Sequence, residues 1–195
     1  MSFFSVPLGF DFSVATAQTA GSAIGMLTGT AANYCQTTVK RSGGVGAAQV
    51  NATTTAVGGI RVNIPLEATG IAKLATPTVV NAFVRFYFRY ATKPASGSEE
   101  IFAVFSDATP SVYKFSLRLT STGTLDAYTG GTTSLATGTT VLTADTWYCI
   151  QVKVGTGNPS AWEYRIGADT PDIPTPASEA SGSSNLGTAN NLVVY

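Results

Sequence analysis

The clearest pattern in the chain is a strict alternation of large side chains between residues 83 and 90, where the sequence reads Phe-Val-Arg-Phe-Tyr-Phe-Arg-Tyr. Because successive side chains of a strand point to opposite faces, this pattern predicts a β-strand with one buried face. Aromatic residues also fit a pleated, half-buried surface well. The predicted inward set is Val84, Phe86, Phe88 and Tyr90, and the predicted outward set is Phe83, Arg85, Tyr87 and Arg89.

Similar apolar runs return along the chain, separated by short stretches rich in Gly, Pro, Ser and Asn. They predict further strands at 34–39, 60–64, 101–105, 113–120, 125–128, 147–154, 161–166 and 192–195. Residues 129–140 form a stretch rich in Gly and Thr. Residues 168–190 contain prolines and several Ser, Gly and Asn residues, and we expect them to be irregular. Many short strands with turn signals between them predict an all-β protein, either an antiparallel sandwich or a barrel.

The first 32 residues differ from the rest of the chain. Phenylalanines are dense there, and glycines interrupt any long helix. We expect this segment to be either the first strand of the domain or an extended arm that docks on a neighbouring subunit, and residues 33–195 to form the β domain. The predicted assembly contacts of the arm are Phe3, Phe4, Phe10 and Phe12.

Charge is scarce in this chain. Charged residues make up 11% of the 195 residues, well below the usual figure of roughly 25%, and eleven acidic residues balance eleven basic ones. A surface of hydroxyls and small side chains is common on proteins that assemble into larger structures. The sequence shows no basic patch, so a nucleic-acid partner is not predicted. No apolar run approaches the ~20 residues of a membrane span. The segment 1–7 has no basic residue before its apolar ones, so a secretory signal is not predicted.

The order of elements from about residue 59 to 195 resembles a concanavalin A-like (laminin G-like) jelly roll. The resemblance is carried by the segments 83–90, 101–107, 113–126, 145–154 and 161–167. It implies two curved antiparallel sheets over a shared core, and therefore a jelly-roll sandwich over residues 33–195. The family usually closes its sheet with a further strand beyond the position of Tyr195. We expect the arm or another subunit to supply that strand.

Catalytic groups are few. The chain has no histidine, which excludes Ser-His-Asp and Cys-His catalysis and removes the commonest transition-metal ligand. No glycine-rich phosphate loop is present. Two distant cysteines, Cys35 and Cys149, indicate buried thiols more simply than a disulfide, and they do not make a zinc site. We therefore predict no enzyme activity, no cofactor and no resident metal.

Glycoside hydrolysis is the enzyme activity to weigh against that prediction, because some glucanases have the concanavalin A-like fold that this sequence resembles. It needs two carboxylates facing each other across the scissile bond. The adjacent pair Glu99-Glu100 would diverge, and Asp126, Asp145 and Glu163 are isolated. A cross-strand partner, either Lys153 or Arg165, explains Glu163 more simply. A calcium site at Asp107 or Asp126 has only scattered acids to support it.

Domains that resemble this one occur in structural proteins of tailed bacteriophages, in carbohydrate-binding modules and in glucanases. The main hypothesis is a virion structural protein, made in the host cytoplasm, that decorates or cements a capsid or sits on a tail. Its expected partners are major capsid or tail proteins and further copies of itself, as a trimer or dimer. The alternative is a module that recognises host surface glycan, with an aromatic platform drawn from Tyr87, Tyr128 and Trp162.

Overall fold

The computed structural model describes residues 26–28, 34–36, 47–49, 59–65, 81–105, 113–155, 159–169, 177–186 and 191–194. All regular elements among them are β-strands, and none is a helix long and apolar enough to cross a membrane. The strands are β1 Met26–Thr28, β2 Tyr34–Gln36, β3 Ala47–Gln49, β4 Gly59–Pro65, β5 Asn81–Phe88, β6 Ser98–Phe105, β7 Tyr113–Thr120, β8 Leu125–Thr129, β9 Thr133–Ala136, β10 Tyr148–Gly155, β11 Ser160–Ala168, β12 Ala177–Ser184 and β13 Asn191–Val194.

The chain divides into two compact units, Met1–Val62 and Asn63–Tyr195. In the first unit β1 pairs antiparallel with β4, and β2 pairs antiparallel with β3. The predicted boundary at residue 32 lies outside the described residues, as do the proposed arm contacts Phe3, Phe4, Phe10 and Phe12, so both stay predictions.

The second unit contains two antiparallel sheets. In sheet I the strands β6, β7, β8 and β9 follow one another as a meander, and β13 pairs with β6 on its other side. In sheet II the order is β12, β11, β10, β5. The strands β5 and β10 are therefore neighbours in the sheet although they are far apart in sequence, whereas β10, β11 and β12 are consecutive in both.

The two sheets pack face to face. Phe86 of β5 stacks on Phe102 of β6 with 5.3 Å between ring centroids, and Phe115 of β7 lies 5.9 Å from Trp162 of β11. The core between the sheets includes Phe102, Val104, Phe115, Leu117, Leu119, Leu125, Ile150, Val152, Val154, Trp162, Tyr164 and Ile166. The predicted all-β sandwich is confirmed, and the residues that β7 and β10 contribute to its core include Phe115, Leu117, Leu119, Ile150, Val152 and Val154.

Irregular segments anchor themselves to the sandwich through backbone groups. Residues 137–147 follow β9, and the Tyr90 hydroxyl donates to the Leu142 carbonyl oxygen at 2.6 Å. The Asp145 amide donates to the Tyr90 carbonyl at 2.8 Å. Asp145 has a φ of 61°, a conformation that a non-glycine residue adopts rarely, and its carboxylate pairs with Arg89 at 2.5 Å. The loop and the end of β5 thus hold each other in place.

Two predictions about the later part of the chain need correction. Residues 177–184, expected to be irregular, form β12, and residues 133–136, where no strand was predicted, form β9. Both are edge strands of their sheets, and apart from Leu135 and Glu179 they consist of small or hydroxyl side chains without an apolar alternation. Cys149 is confirmed as a buried thiol, and the side chain of Cys35 lies outside the described residues.

Candidate functional site

The three aromatic residues expected to form one glycan platform do not share a surface, because two lie on opposite outer faces and the third lies in the core. Tyr87 lies on the outer face of sheet II, since its neighbour Phe86 points into the core. Tyr128 lies on the outer face of sheet I, opposite Ser116 in register, with the Arg118 guanidinium 4.6 Å above its ring. The outer faces of two packed sheets point in opposite directions. These two tyrosines therefore do not contribute to one binding surface.

Trp162 requires a correction. Its side chain is 4% exposed and packs against Phe115 between the sheets, so it offers no ring to a ligand. The sequence contained the signal for this position, because Trp162 alternates in phase with Tyr164 and Ile166, which are also buried. The tryptophan is a core residue.

The structure instead brings a different set of side chains together on the outer face of sheet II. The register aligns Phe83 with Lys153 and Glu163 across β5, β10 and β11, and it aligns Arg85 with Gln151 and Arg165 in the next outward-facing row. A groove of about 290 Å³ lies over these two rows. We call it the sheet II groove, and the residues that line it are Phe83, Val84, Arg85, Gln151, Val152, Lys153, Glu163 and Arg165.

Phe83 is the aromatic member of the sheet II groove. It is 69% exposed, the highest value among the large apolar residues whose side chains the structure describes. The Lys153 ammonium lies 5.9 Å from the centre of its ring, within the range of a cation–π interaction. An exposed ring beside a cation gives this face both an apolar and a polar contact surface.

Cations outnumber acids in the sheet II groove. Glu163 is the sole carboxylate among the eight residues that line it, against Arg85, Lys153 and Arg165. The Arg165 Nε donates to Glu163 Oε1 at 2.8 Å. This hydrogen bond is the main cause that holds the pKa of Glu163 below its ordinary value, and the charge of Lys153 acts in the same direction. Glu163 therefore stays ionised and is unsuited to donate a proton as a general acid.

Arg85 and Gln151 form the second row of the groove. With the Gln151 amide oriented so that its oxygen faces Arg85, that oxygen accepts from the Arg85 Nε at 2.8 Å. The Gln151 amide nitrogen then points away from Arg85. The Arg85 Nη2 donates to the same oxygen, so the two side chains are held together on the outer face of sheet II.

Three of the other acidic residues weighed from the sequence contact neighbouring groups of the fold. Asp145 pairs with Arg89, and Asp126 accepts a hydrogen bond from the Gly138 amide at 3.2 Å. Glu100 lies 3.9 Å from Arg118. Asp107 lies outside the described residues. Within the described part of the chain, no three His, Cys, Asp or Glu side chains group together in a way that could hold a metal ion.

Glu179 is a carboxylate that the sequence did not single out, because its strand β12 was expected to be irregular. It accepts hydrogen bonds from the Thr140 amide at 2.7 Å and the Thr140 hydroxyl at 2.6 Å. The Thr139 hydroxyl donates at 3.0 Å, and the Thr139 amide donates as well. Partial burial acts to raise the pKa of Glu179, but the hydrogen bonds from Thr140 and Thr139 outweigh it, and the pKa lies below its ordinary value. The carboxylate thus fastens the loop after β9 to sheet II.

No family model, no curated protein and no solved structure matches this chain. The likeness to concanavalin A-like domains therefore stays a prediction from the sequence. The two-sheet sandwich is what the structure establishes.

Proposed function

We propose that the protein is a structural subunit of a tailed-bacteriophage virion, which acts by protein–protein assembly as a capsid decoration or cement protein or as a tail-associated subunit. The viral setting comes from the sequence resemblance and from the low charge of the chain. Its partners are then major capsid or tail proteins and further copies of itself, and its location is the virion. The structural observation that supports assembly is the edge of sheet II at β5.

Among the described residues, β5 pairs on one side, with β10. It is eight residues long and rich in aromatic side chains, and Arg85 is its one charged residue. Natural proteins protect sheet edges with short strands, prolines or charges, because an edge with unpaired backbone groups recruits another strand. A long aromatic edge strand suits the addition of a strand from a partner chain, with main-chain hydrogen bonds supplying affinity.

Phe83 adds an apolar contact beside this edge. A partner that covers this exposed ring would stabilise the complex, by on the order of 1.5–3 kcal/mol for complete burial of such a side chain. Val141, in the loop after β9, is the other large apolar residue that the described part of the chain exposes, at 63%. It lies outside sheet II and therefore serves as a matched control.

The test is attachment to particles. Mass spectrometry of density-gradient-purified virions should detect the chain, and cryo-electron microscopy should place β5 against a neighbouring subunit. Phe83→Asp should reduce the amount of chain that sediments with the particles about tenfold or more, while Val141→Asp leaves it unchanged. Absence of the chain from purified particles overturns the proposal, and so does equal attachment of the two variants.

The arm contacts predicted from the sequence enter the same assay separately. Replacing Phe3, Phe4, Phe10 and Phe12 with serine in the full chain should also reduce sedimentation with the particles. Unchanged attachment of that variant would remove the arm from the proposal and leave the β5 edge in place.

A further inference from the structure

The residues of the sheet II groove combine an exposed ring, a row of donors and an excess of positive charge. We propose that this groove binds a glycan whose sugar rings carry carboxylate groups. The groove shares Phe83 and Arg85 of β5 with the assembly proposal, but Lys153 and Glu163 lie on the inner strands β10 and β11, so the two proposals can be tested separately.

The size and the aromatic residue of the groove point to sugar rings. Its volume of about 290 Å³ lies at the lower end of the range for small-molecule sites. The exposed ring of Phe83 forms an apolar surface at one end of a row that continues with Lys153 and Glu163. The apolar face of a sugar ring packs on such a surface through dispersion and loss of hydration. Neighbouring polar side chains then hydrogen-bond to its hydroxyls.

The charges of the groove point to an acidic sugar. The Glu163 carboxylate accepts a hydrogen bond from Arg165 and also lies opposite Lys153, so three cations share one carboxylate among the groove residues. A guanidinium fork matches the planar geometry of a carboxylate, and an ammonium adds a point charge beside it. A ligand carboxylate over β5 and β10 would balance the charge of this face.

A phosphate polymer fits the same charges less well. Nucleic-acid binding relies on many phosphate contacts along a basic surface. The chain as a whole has no net charge, and the groove places three cations within two rows of residues. Its charge therefore suits one or two separate anionic groups on a short oligosaccharide.

Isothermal titration calorimetry with the full chain tests the ligand class. The probes are tetragalacturonate, which has sugar rings and carboxylates, maltotetraose, which has sugar rings alone, and tetraglutamate, which has carboxylates alone. We expect tetragalacturonate to bind in the millimolar range or tighter, with affinity that falls as salt is added, and the other two not to bind. Equal binding of either of the other probes overturns the proposal, as does the absence of binding by tetragalacturonate.

Two lysine variants separate a site from a general charge effect. Lys153→Gln removes a cation of the groove, and Lys93→Gln removes an exposed cation from the loop after β5. The first should weaken tetragalacturonate binding about tenfold, and the second should leave it unchanged. An equal loss in both variants would show that only the net charge matters, which contradicts a built site. Circular dichroism of each variant verifies the fold.

Further variants assign the remaining roles. Phe83→Ala should weaken binding by removing the apolar surface, and Glu163→Gln should strengthen it by removing a carboxylate that repels the ligand. Weaker binding of the Glu163→Gln variant would contradict the proposed charge pattern. Because Lys153 lies on the inner strand β10, the Lys153→Gln variant should still sediment with particles. The failure of the glycan proposal is thus distinguishable from the failure of the assembly proposal.

Discussion

Gly182 of β12 lies directly opposite Trp162 of β11, and a Cβ atom added to Gly182 would lie 2.8 Å from Cζ2 of the indole ring. On its other side the indole packs against Phe115 from sheet I. The tryptophan therefore fills the space between the two sheets and the space above its neighbouring strand. The glycine explains how a strand of serines and alanines accommodates the largest side chain of the core.

Replacing this glycine with alanine should destabilise the protein. Because the indole is buried and held on both sides, Gly182→Ala forces it out of position, and we expect a loss of about 1–3 kcal/mol. Urea unfolding followed by tryptophan fluorescence measures it. The matched control is Ser183→Ala at the next, exposed position, where the change should stay within about 0.5 kcal/mol. A Gly182→Ala variant as stable as the original would refute the close packing.

Tyr164 ties sheet II to sheet I by a buried hydrogen bond. Its hydroxyl donates to the Leu125 carbonyl oxygen at 2.6 Å. Tyr164→Phe leaves that carbonyl without this donor, so we expect a loss of about 1–3 kcal/mol in urea unfolding. Tyr128→Phe, on the half-exposed outer face of sheet I, should have a much smaller effect. Equal effects of the two substitutions would contradict the assigned role of the buried hydroxyl.

The same phenol should make stability depend on alkaline pH. Burial, together with the nearby charges of Glu179 and Asp126, raises the pKa of Tyr164 well above its ordinary value. A group whose pKa is raised by folding stabilises the fold fully below its unfolded pKa of about 10, and that stabilisation is lost as pH rises further. The urea midpoint should therefore fall above about pH 10, and Tyr164→Phe should flatten this fall. An unchanged pH profile in the variant would exclude Tyr164 as the titrating group.

Glu179 should control the loop after β9 at acidic pH. Its pKa is lowered in the folded protein, so its stabilising effect is present above the unfolded pKa of about 4.3 and is lost as pH falls through the folded value. We expect the amides of Thr139 and Thr140 to lose hydrogen-exchange protection over this acidic range. Glu179→Gln should reduce that protection already at neutral pH, whereas Glu163→Gln should not. Full protection in the Glu179→Gln variant would contradict the anchoring role.

The two faces of β5 should differ in their sensitivity to truncation. Phe86 stacks on Phe102 in the core, and Phe83 is exposed on the opposite face. We expect Phe86→Ala to cost about 3 kcal/mol in urea unfolding and Phe83→Ala to change stability by no more than about 0.5 kcal/mol. A larger loss of stability for Phe83→Ala than for Phe86→Ala would mean that β5 buries the opposite face.

Strand faces were predictable where large side chains alternate. In β7, for example, Phe115, Leu117 and Leu119 alternate with charged or hydroxylated residues, so the period of two predicts which set faces the core. The same rule applied to β11 places Trp162 on the same face as the buried Tyr164. The expectation of an exposed Trp162 was wrong because it considered the residue type and not its position in the alternation. The strands β9 and β12 were not predicted because their mostly small side chains show no alternation of apolar and polar positions.

The sequence by itself determined that the part of the chain described by the structure is all-β and which side chains of its main strands turn inward, because both follow from side-chain period and type over a few neighbouring residues. Only the tertiary structure decided which strands become neighbours. The pairing of β5 with β10 joins residues 60 to 74 positions apart, from Phe88 with Tyr148 to Asn81 with Gly155, and it is this pairing that brings Phe83 beside Lys153 and Arg85 beside Gln151. Local patterns carry no information about such distant partners, because cross-strand contacts depend on how the whole chain closes on itself.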